Sequence, residues 1–139
     1  MKILSLSIFL IMILISCNYD LVENKYSDFT SAKEKGLFEK GWIPKEFVFE
    51  SMTEIYLLTN LDRNTCIFTF HITKYDLDRI KEIIQPIEST ETMKNVPQSK
   101  QWIESVEKLK HNFIVTNDKS DTVFIAIDSN NNKVFGWRN

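Results

Sequence analysis

Apolar and polar positions alternate most clearly in the middle of the chain. In TCIFTFHIT, Cys66, Phe68 and Phe70 share one face, and Thr65, Ile67, Thr69 and His71 share the other. A period of two predicts a strand. The apolar run Ile55–Leu61 predicts a second strand just before it, and Asp62-Arg63-Asn64 between them reads as a hairpin turn. Ser51 and Glu54 have capping spacing, which predicts a helical turn ahead of that first strand. The period then changes. Leu77, Ile80, Ile84 and Ile87 fall near helical spacing behind Thr73, a capping residue, and Pro86 marks the end. Ser89–Asn95 is a polar connector, and Pro97 opens a second predicted helix to about Lys110 with Trp102, Val106 and Leu109 as its apolar stripe. The C-terminal third returns to strand-like runs, FIVT, TVFIAID and KVFGW, separated by NDKSD and SNNN. Turn-rich separators of this kind predict a three-stranded antiparallel meander.

Upstream, Ser31 and Glu34 have capping-box spacing, so Ala32–Lys40 is expected to be a short helix with Leu37 and Phe38 inward. Gly36 weakens it by about 1 kcal/mol relative to Ala. Gly41 suits the left-handed position past its end, and Pro44 prevents resumption. The expected order is helix, two strands, two helices, three strands. Locally paired strands with grouped helices imply an α+β fold: one antiparallel sheet of about five strands with helices packed on one face. The expected organisation is a leader over 1–16, a tether over 17–28 and a single α+β domain over 29–139.

The extreme N-terminus has a pattern of its own. Lys2 precedes Ile3–Ile15, which is apolar except for Ser5 and Ser7. As a helix this run spans roughly 20 Å, short of the roughly 30 Å bilayer core. A charged start, an apolar middle and a small residue before a cut describe a secretory signal. The sequence Leu14-Ile15-Ser16-Cys17 resembles the lipobox of bacterial lipoproteins. That resemblance implies diacylglycerol on the Cys17 sulfur, cleavage after Ser16 and acylation, such as palmitate, on the new amino group. Two or more chains anchor stably where one does not, at about 0.8 kcal/mol per buried methylene. Asn18–Asp28 is mostly polar and is read as the tether. About ten extended residues reach roughly 35 Å.

Composition narrows the function classes. The net charge is −2, and loss of Lys2 with residues 1–16 makes it one unit more negative. A weakly acidic domain with no basic run is a poor fit to nucleic acid and to a polybasic membrane patch. Membrane contact would therefore rest on the lipid at Cys17. Of the two cysteines the lipobox takes one, so Cys66 has no intramolecular partner and stability must come from a packed core. The ten Phe residues can supply one.

Candidate chemistry is sparse. Cys66 could act as a nucleophile only with a base within hydrogen-bond reach. His71 falls on the opposite side of its strand, which leaves His111; a small buried hydrophobe is the expected role of Cys66. His71 and His111 lack a second ligand at metal-binding spacing, so no metal and no cofactor are expected. Asp128-Ser129-Asn130-Asn131-Asn132 resembles the start of a calcium loop, but Lys133 stands where the turn glycine belongs and the chain ends before a bidentate Glu. It is expected to be a polar hairpin turn, as are Asp62-x-Asn64 and the segment holding Asp118 and Asp121. The aromatic surplus is the best candidate binding feature. Trp42, Tyr56, Trp102 and Trp137, with Phe47 and Phe49, exceed a minimal core; a Phe-rich core is the first expectation for them, and a surface for a glycan, peptide or protein the second.

From Gly36 to Phe70 the chain resembles a group of small bacterial lipoproteins, the YbbD head-domain group. The residues that carry the resemblance are Gly41-Trp42-Ile43-Pro44, Ser51, Ile55, Asp62-x-Asn64 and Phe68-x-Phe70. The pattern departs at Phe47-Val48-Phe49-Glu50, where a second Leu-Pro would stand. The resemblance implies an address and a fold, and no activity.

The expectation is thus a lipid-anchored cell-envelope lipoprotein, with inner membrane, outer membrane and surface left open. Its domain is expected to be a non-catalytic binding module for an envelope protein or glycan. The alternatives are an envelope enzyme using Cys66 with His111, and a structural subunit of an envelope complex.

Overall fold

A computed structural model describes residues 21–87, 96–97, 99–115 and 122–138. The leader over 1–16, Ser16, Cys17, the connector Ser89–Asn95, and Asp118 and Asp121 lie outside the described residues.

Phe68 and Phe70 sit at the middle of the architecture, on strand β3 (Thr65–His71), which is buried along nearly its whole length. Both faces of β3 are covered, which is why its sequence alternates in shape more than in polarity. Strand β2 (Thr53–Asn60) pairs with β3 antiparallel, Leu57 opposite Phe68 and Asn60 opposite Thr65, across the expected turn at Asp62–Asn64. Asn64 takes φ +51 there, and Asn60 Oδ1 accepts from the Arg63 amide at 3.0 Å. On the other side β7 (Lys133–Arg138) pairs with β3, Gly136 opposite Phe68. Strands β6 (Thr122–Asp128) and β5 (His111–Val115) continue outward, and the two-residue β4 (Gln85–Pro86) closes that edge. The meander expected at the C-terminus is β5–β6–β7.

The other edge differs from expectation. Leu21–Asp28, read as tether, is strand β1, antiparallel to β2 with Tyr26 opposite Ile55. Its polar sequence follows from its position: only Asn24, Tyr26 and Asp28 are half-buried, and the residues between them face water. Among the described residues the sheet has seven strands in the order β1-β2-β3-β7-β6-β5-β4, every pair antiparallel.

The helices are short. Helix α1 (Phe29–Glu34) begins three residues before the expected start. Asp28 is its N-cap, accepting from the Ser31 amide at 2.8 Å, and the Ser31 hydroxyl accepts from the Asp28 amide at 3.4 Å. The capping box is therefore Asp28 with Ser31, not Ser31 with Glu34. Gly36 and Gly41, at φ +67 and +72, turn the chain out of α1 and out of a 3-10 turn at Phe38–Lys40. No helical turn is capped by Ser51, whose hydroxyl instead donates to Asp76 Oδ2. Helix α2 (Lys74–Ile83) is capped by Thr73 as expected. Helix α3 (Lys100–Val106) is half the expected length.

The expected α+β class, with about five strands and helices on one face, is corrected by this arrangement. The protein is mainly β: one seven-stranded antiparallel sheet with a few short helical segments. The helices lie on both faces. Ala32 of α1 and Leu77 and Ile80 of α2 join Cys66, Phe68, Phe70, Ile125 and Val134 on one face. Trp102 and Val106 of α3 join Ile67, Ala126, Phe135 and Trp137 on the other.

Candidate functional site

A surface cleft of about 430 Å³ is lined by residues of three elements. It lies on the α3 side of the sheet. Ser105, Lys108 and Leu109 wall one side; His71, Asp128, Asn131, Lys133 and Phe135 supply the other. Three elements meet here: the C-terminal end of α3, the end of β3 and the β6–β7 hairpin.

The hairpin is held rigidly. Asp128 Oδ1 accepts from the Asn130 and Asn131 amides at 3.0 and 3.3 Å, and Oδ2 accepts from Asn131 Nδ2 at 2.7 Å. These donors, led by the Asn131 side chain, hold the Asp128 carboxyl below the usual carboxylate range. The carboxylate is engaged in its own turn, as expected for a hairpin and unlike a calcium loop. The Asn131 carbonyl in turn accepts from His71 Nδ1 at 3.1 Å. His71 Nε2 lies 3.6 Å from Glu54 Oε2. Glu54 takes φ +49 at a β-bulge, where β2 slips against β3 between Thr53 and Tyr56. Lys133 Nζ lies 5.3 Å from the Phe135 ring centroid. The cleft therefore has a small apolar floor, Leu109 and Phe135, and a rim of donors and acceptors, with two lysines against one carboxylate.

Cys66 and His111 are not brought together. Cys66 is fully buried on the α1 and α2 side, its Sγ 3.9 Å from the Trp42 carbonyl. Burial pushes its thiol up to about 12. His111 is on the α3 side, its ring 5.2 Å from that of Trp137 at 75°. A carbonyl can only accept, so His111 Nε2 donates to Val106 O at 3.2 Å. That bond satisfies a carbonyl at the end of α3. The sheet stands between the two side chains. Among the described residues no group of three or more His, Cys, Asp or Glu is placed to hold a metal ion.

The four aromatics proposed as a binding surface do not form one. Trp137 is fully buried and Trp102 is 4% exposed. Their rings meet edge to face at 5.6 Å, with Phe124 stacked on Trp137 at 5.6 Å. Tyr56 is half-buried on this same side. Trp42 is half-buried on the opposite side. The aromatic surplus is explained by a sheet that needs a core on each face.

The residues of the Gly-Trp-Ile-Pro pattern are all structural. Gly41 supplies the left-handed turn, Ile43 is 1% exposed, and Pro44 accepts from the Phe47 amide at 2.9 Å. Phe68 and Phe70 stack at 6.1 Å in the core below them. Residues 20–71 match the YbbD head domain. The resemblance read over Gly36–Phe70 is thereby borne out, and the match extends upstream over α1 and β1. The match stops at the end of β3, and α2, α3 and β4–β7 lie beyond it. No curated protein and no solved structure matches the chain. Of the cleft residues, only His71 falls within the matched segment.

Sequence reasoning singled out His71 and Asp128 but not the cleft they share. Ser105 and Lys108 carry no sequence signal of their own, and Lys133 enters the sequence analysis only as the residue standing where a calcium loop needs glycine. Their meeting depends on β7 returning beside β3, which no local spacing signals.

Proposed function

We propose that the protein is a bacterial envelope lipoprotein, anchored by lipid on Cys17 after cleavage behind Ser16. Its β domain is a non-catalytic binding module for an envelope protein or glycan. The observation that carries the reading is the cleft: about 430 Å³ with a polar rim on a small apolar floor. A volume of that order suits a short glycan or a peptide segment, and convergent polar groups set its orientation. Lys108 and Lys133 would donate to hydroxyl, carboxylate or carbonyl oxygens, and Asn131 would read amide or hydroxyl groups. The separation of Cys66 from His111 by the sheet supports a binding role over thiol chemistry.

The lipobox resemblance supports the anchor, and β1 sharpens its geometry. Only residues 18–20 separate Cys17 from the first strand residue, Leu21. The reach from Cys17 Cα to Leu21 Cα is at most ~14 Å. The sheet edge, rather than a long tether, would sit beside the lipid. Cys17→Ala is expected to lose metabolic lipid label and to accumulate at precursor mass. A variant that stays membrane-bound at mature mass would contradict the anchor.

A further inference from the structure

Strand β1 ends the sheet, and β2 is its one strand neighbour among the described residues. It is a long edge: eight residues with no proline and no glycine, and Leu21 and Val22 are 39% and 41% exposed. An edge of this kind offers a row of backbone donors and acceptors to another strand. Natural edges are usually shortened, bulged, covered or guarded by charge; among the described residues β1 is not shortened, bulged or covered, and its charges are one acid and one base, Glu23 and Lys25.

The order of its side chains selects the partner. Val22-Glu23-Asn24-Lys25-Tyr26 runs apolar, acid, amide, base, aromatic. Read backwards, it has the same chemical pattern with the charges exchanged. That is the requirement for a strand to pair antiparallel with itself about a two-fold axis. We propose that β1 pairs with β1 of a second copy of this chain, with the axis at Asn24, joining the two sheets edge to edge.

In this register Glu23 faces Lys25 of the second copy on one side of the sheet, twice over. Val22 faces Tyr26 on the other side, also twice. Opposite charges and aromatic–aliphatic pairs directly across two strands are both stabilising. Other registers lose this. An axis at Lys25 sets lysine against lysine, and an axis at Glu23 sets glutamate against glutamate. A shift of one residue sets charged positions against the opposite pleat. The charged side chains already lie together on the sheet: Lys25 Nζ is 3.0 Å from Glu23 Oε1 and 5.6 Å from the Tyr56 ring centroid. The pairing uses β1 alone and does not depend on lipid at Cys17 or on the cleft.

The test uses the full chain as expressed in cells. Asn24→Cys places a thiol on the axis, and mild oxidation is expected to give a disulfide-linked dimer; Glu82→Cys, exposed on α2, is the control. Adding Glu23→Lys or Lys25→Glu to the Asn24→Cys chain sets like charges across both pairs and should cut the dimer roughly tenfold. Co-expressing the two reversed chains should restore it, because each lysine then faces a glutamate of the other chain. An intrachain effect of Glu23 on Lys25 cannot produce rescue in trans. Dimer no greater than the Glu82→Cys control, reversed chains that dimerise as well as the parent, or a mixture no better than either chain alone would each overturn the proposal. Should Asn24→Cys misfold, the purified parent chain and its Glu23→Lys variant provide the second measurement. A parent dimer that becomes monomeric in Glu23→Lys supports the pairing, and a monomeric parent at the highest attainable concentration, or a variant as dimeric as the parent, overturns it.

Discussion

Cys66 and Gly136 show how much a single residue decides in a sheet covered on both faces. Cys66 is held as a neutral thiol because burial pushes its pKa up to about 12 from 9.0. The sign of the consequence follows. A folded-state value above the unfolded one contributes stability that is complete below about pH 9 and is lost as pH rises toward about 12. Denaturation midpoints of the parent should therefore fall more steeply over that window than those of Cys66→Ala. The native thiol should also resist alkylation at neutral pH until the chain is unfolded. Gly136 lies opposite Phe68, and a methyl group there would overlap the Phe68 ring. Gly136→Ala should cost about 1–3 kcal/mol by overpacking, and Phe68→Leu should recover part of that loss in the double variant, read by chemical denaturation. The thiol's buried role was legible, because a lone cysteine on an alternating strand has no partner chemistry. The glycine was not, since its neighbour comes from a strand more than sixty residues away in the chain.

Among the elements, caps were the more readable part and lengths the less. Thr73 caps α2 as its spacing predicts, with Thr73 Oγ1 accepting from the Asp76 amide at 3.3 Å. Thr73→Ala should cost about 1 kcal/mol, measurable as a lowered denaturation midpoint with an unchanged slope. The first helix shows why spacing misleads. Ser31 fits the first position of one capping box and the fourth position of another, and Asp28, as good a cap and three residues earlier, takes the N-cap. Hydrogen bonds from the Ser31 amide, first, and the Ser27 hydroxyl lower the Asp28 pKa. Asp128 is lowered for a similar reason. Both contribute stability that is present above the usual carboxylate range and lost as pH falls through their depressed values. Asp128→Asn should flatten the acid limb of a stability–pH profile relative to the parent. Strand β1 escaped the sequence because an edge strand needs neither apolar alternation nor turn residues ahead of it. Its hydrogen bonds to β2 are its main claim to structure.

At the scale of the whole molecule, the central strands explain the composition. A sheet packed on both sides needs two apolar layers, and the Trp and Phe residues that looked surplus fill them: Phe47, Phe68 and Phe70 on one face, Trp102, Phe135 and Trp137 on the other. The expected helices on one face failed because α3 crosses to the opposite side, a choice of connection rather than of local pattern. The crossing also creates the cleft, since the end of α3 meets the β6–β7 hairpin only there. We propose that this cleft binds an envelope partner. The direct measurement is affinity capture of the tagged full chain from crosslinked cells, run beside a Lys108→Glu, Lys133→Glu double variant of equal abundance and stability. A dominant protein or glycan partner on the parent that falls at least tenfold on the variant is the predicted result. A partner retained equally by both, or none above background on the parent, would contradict it.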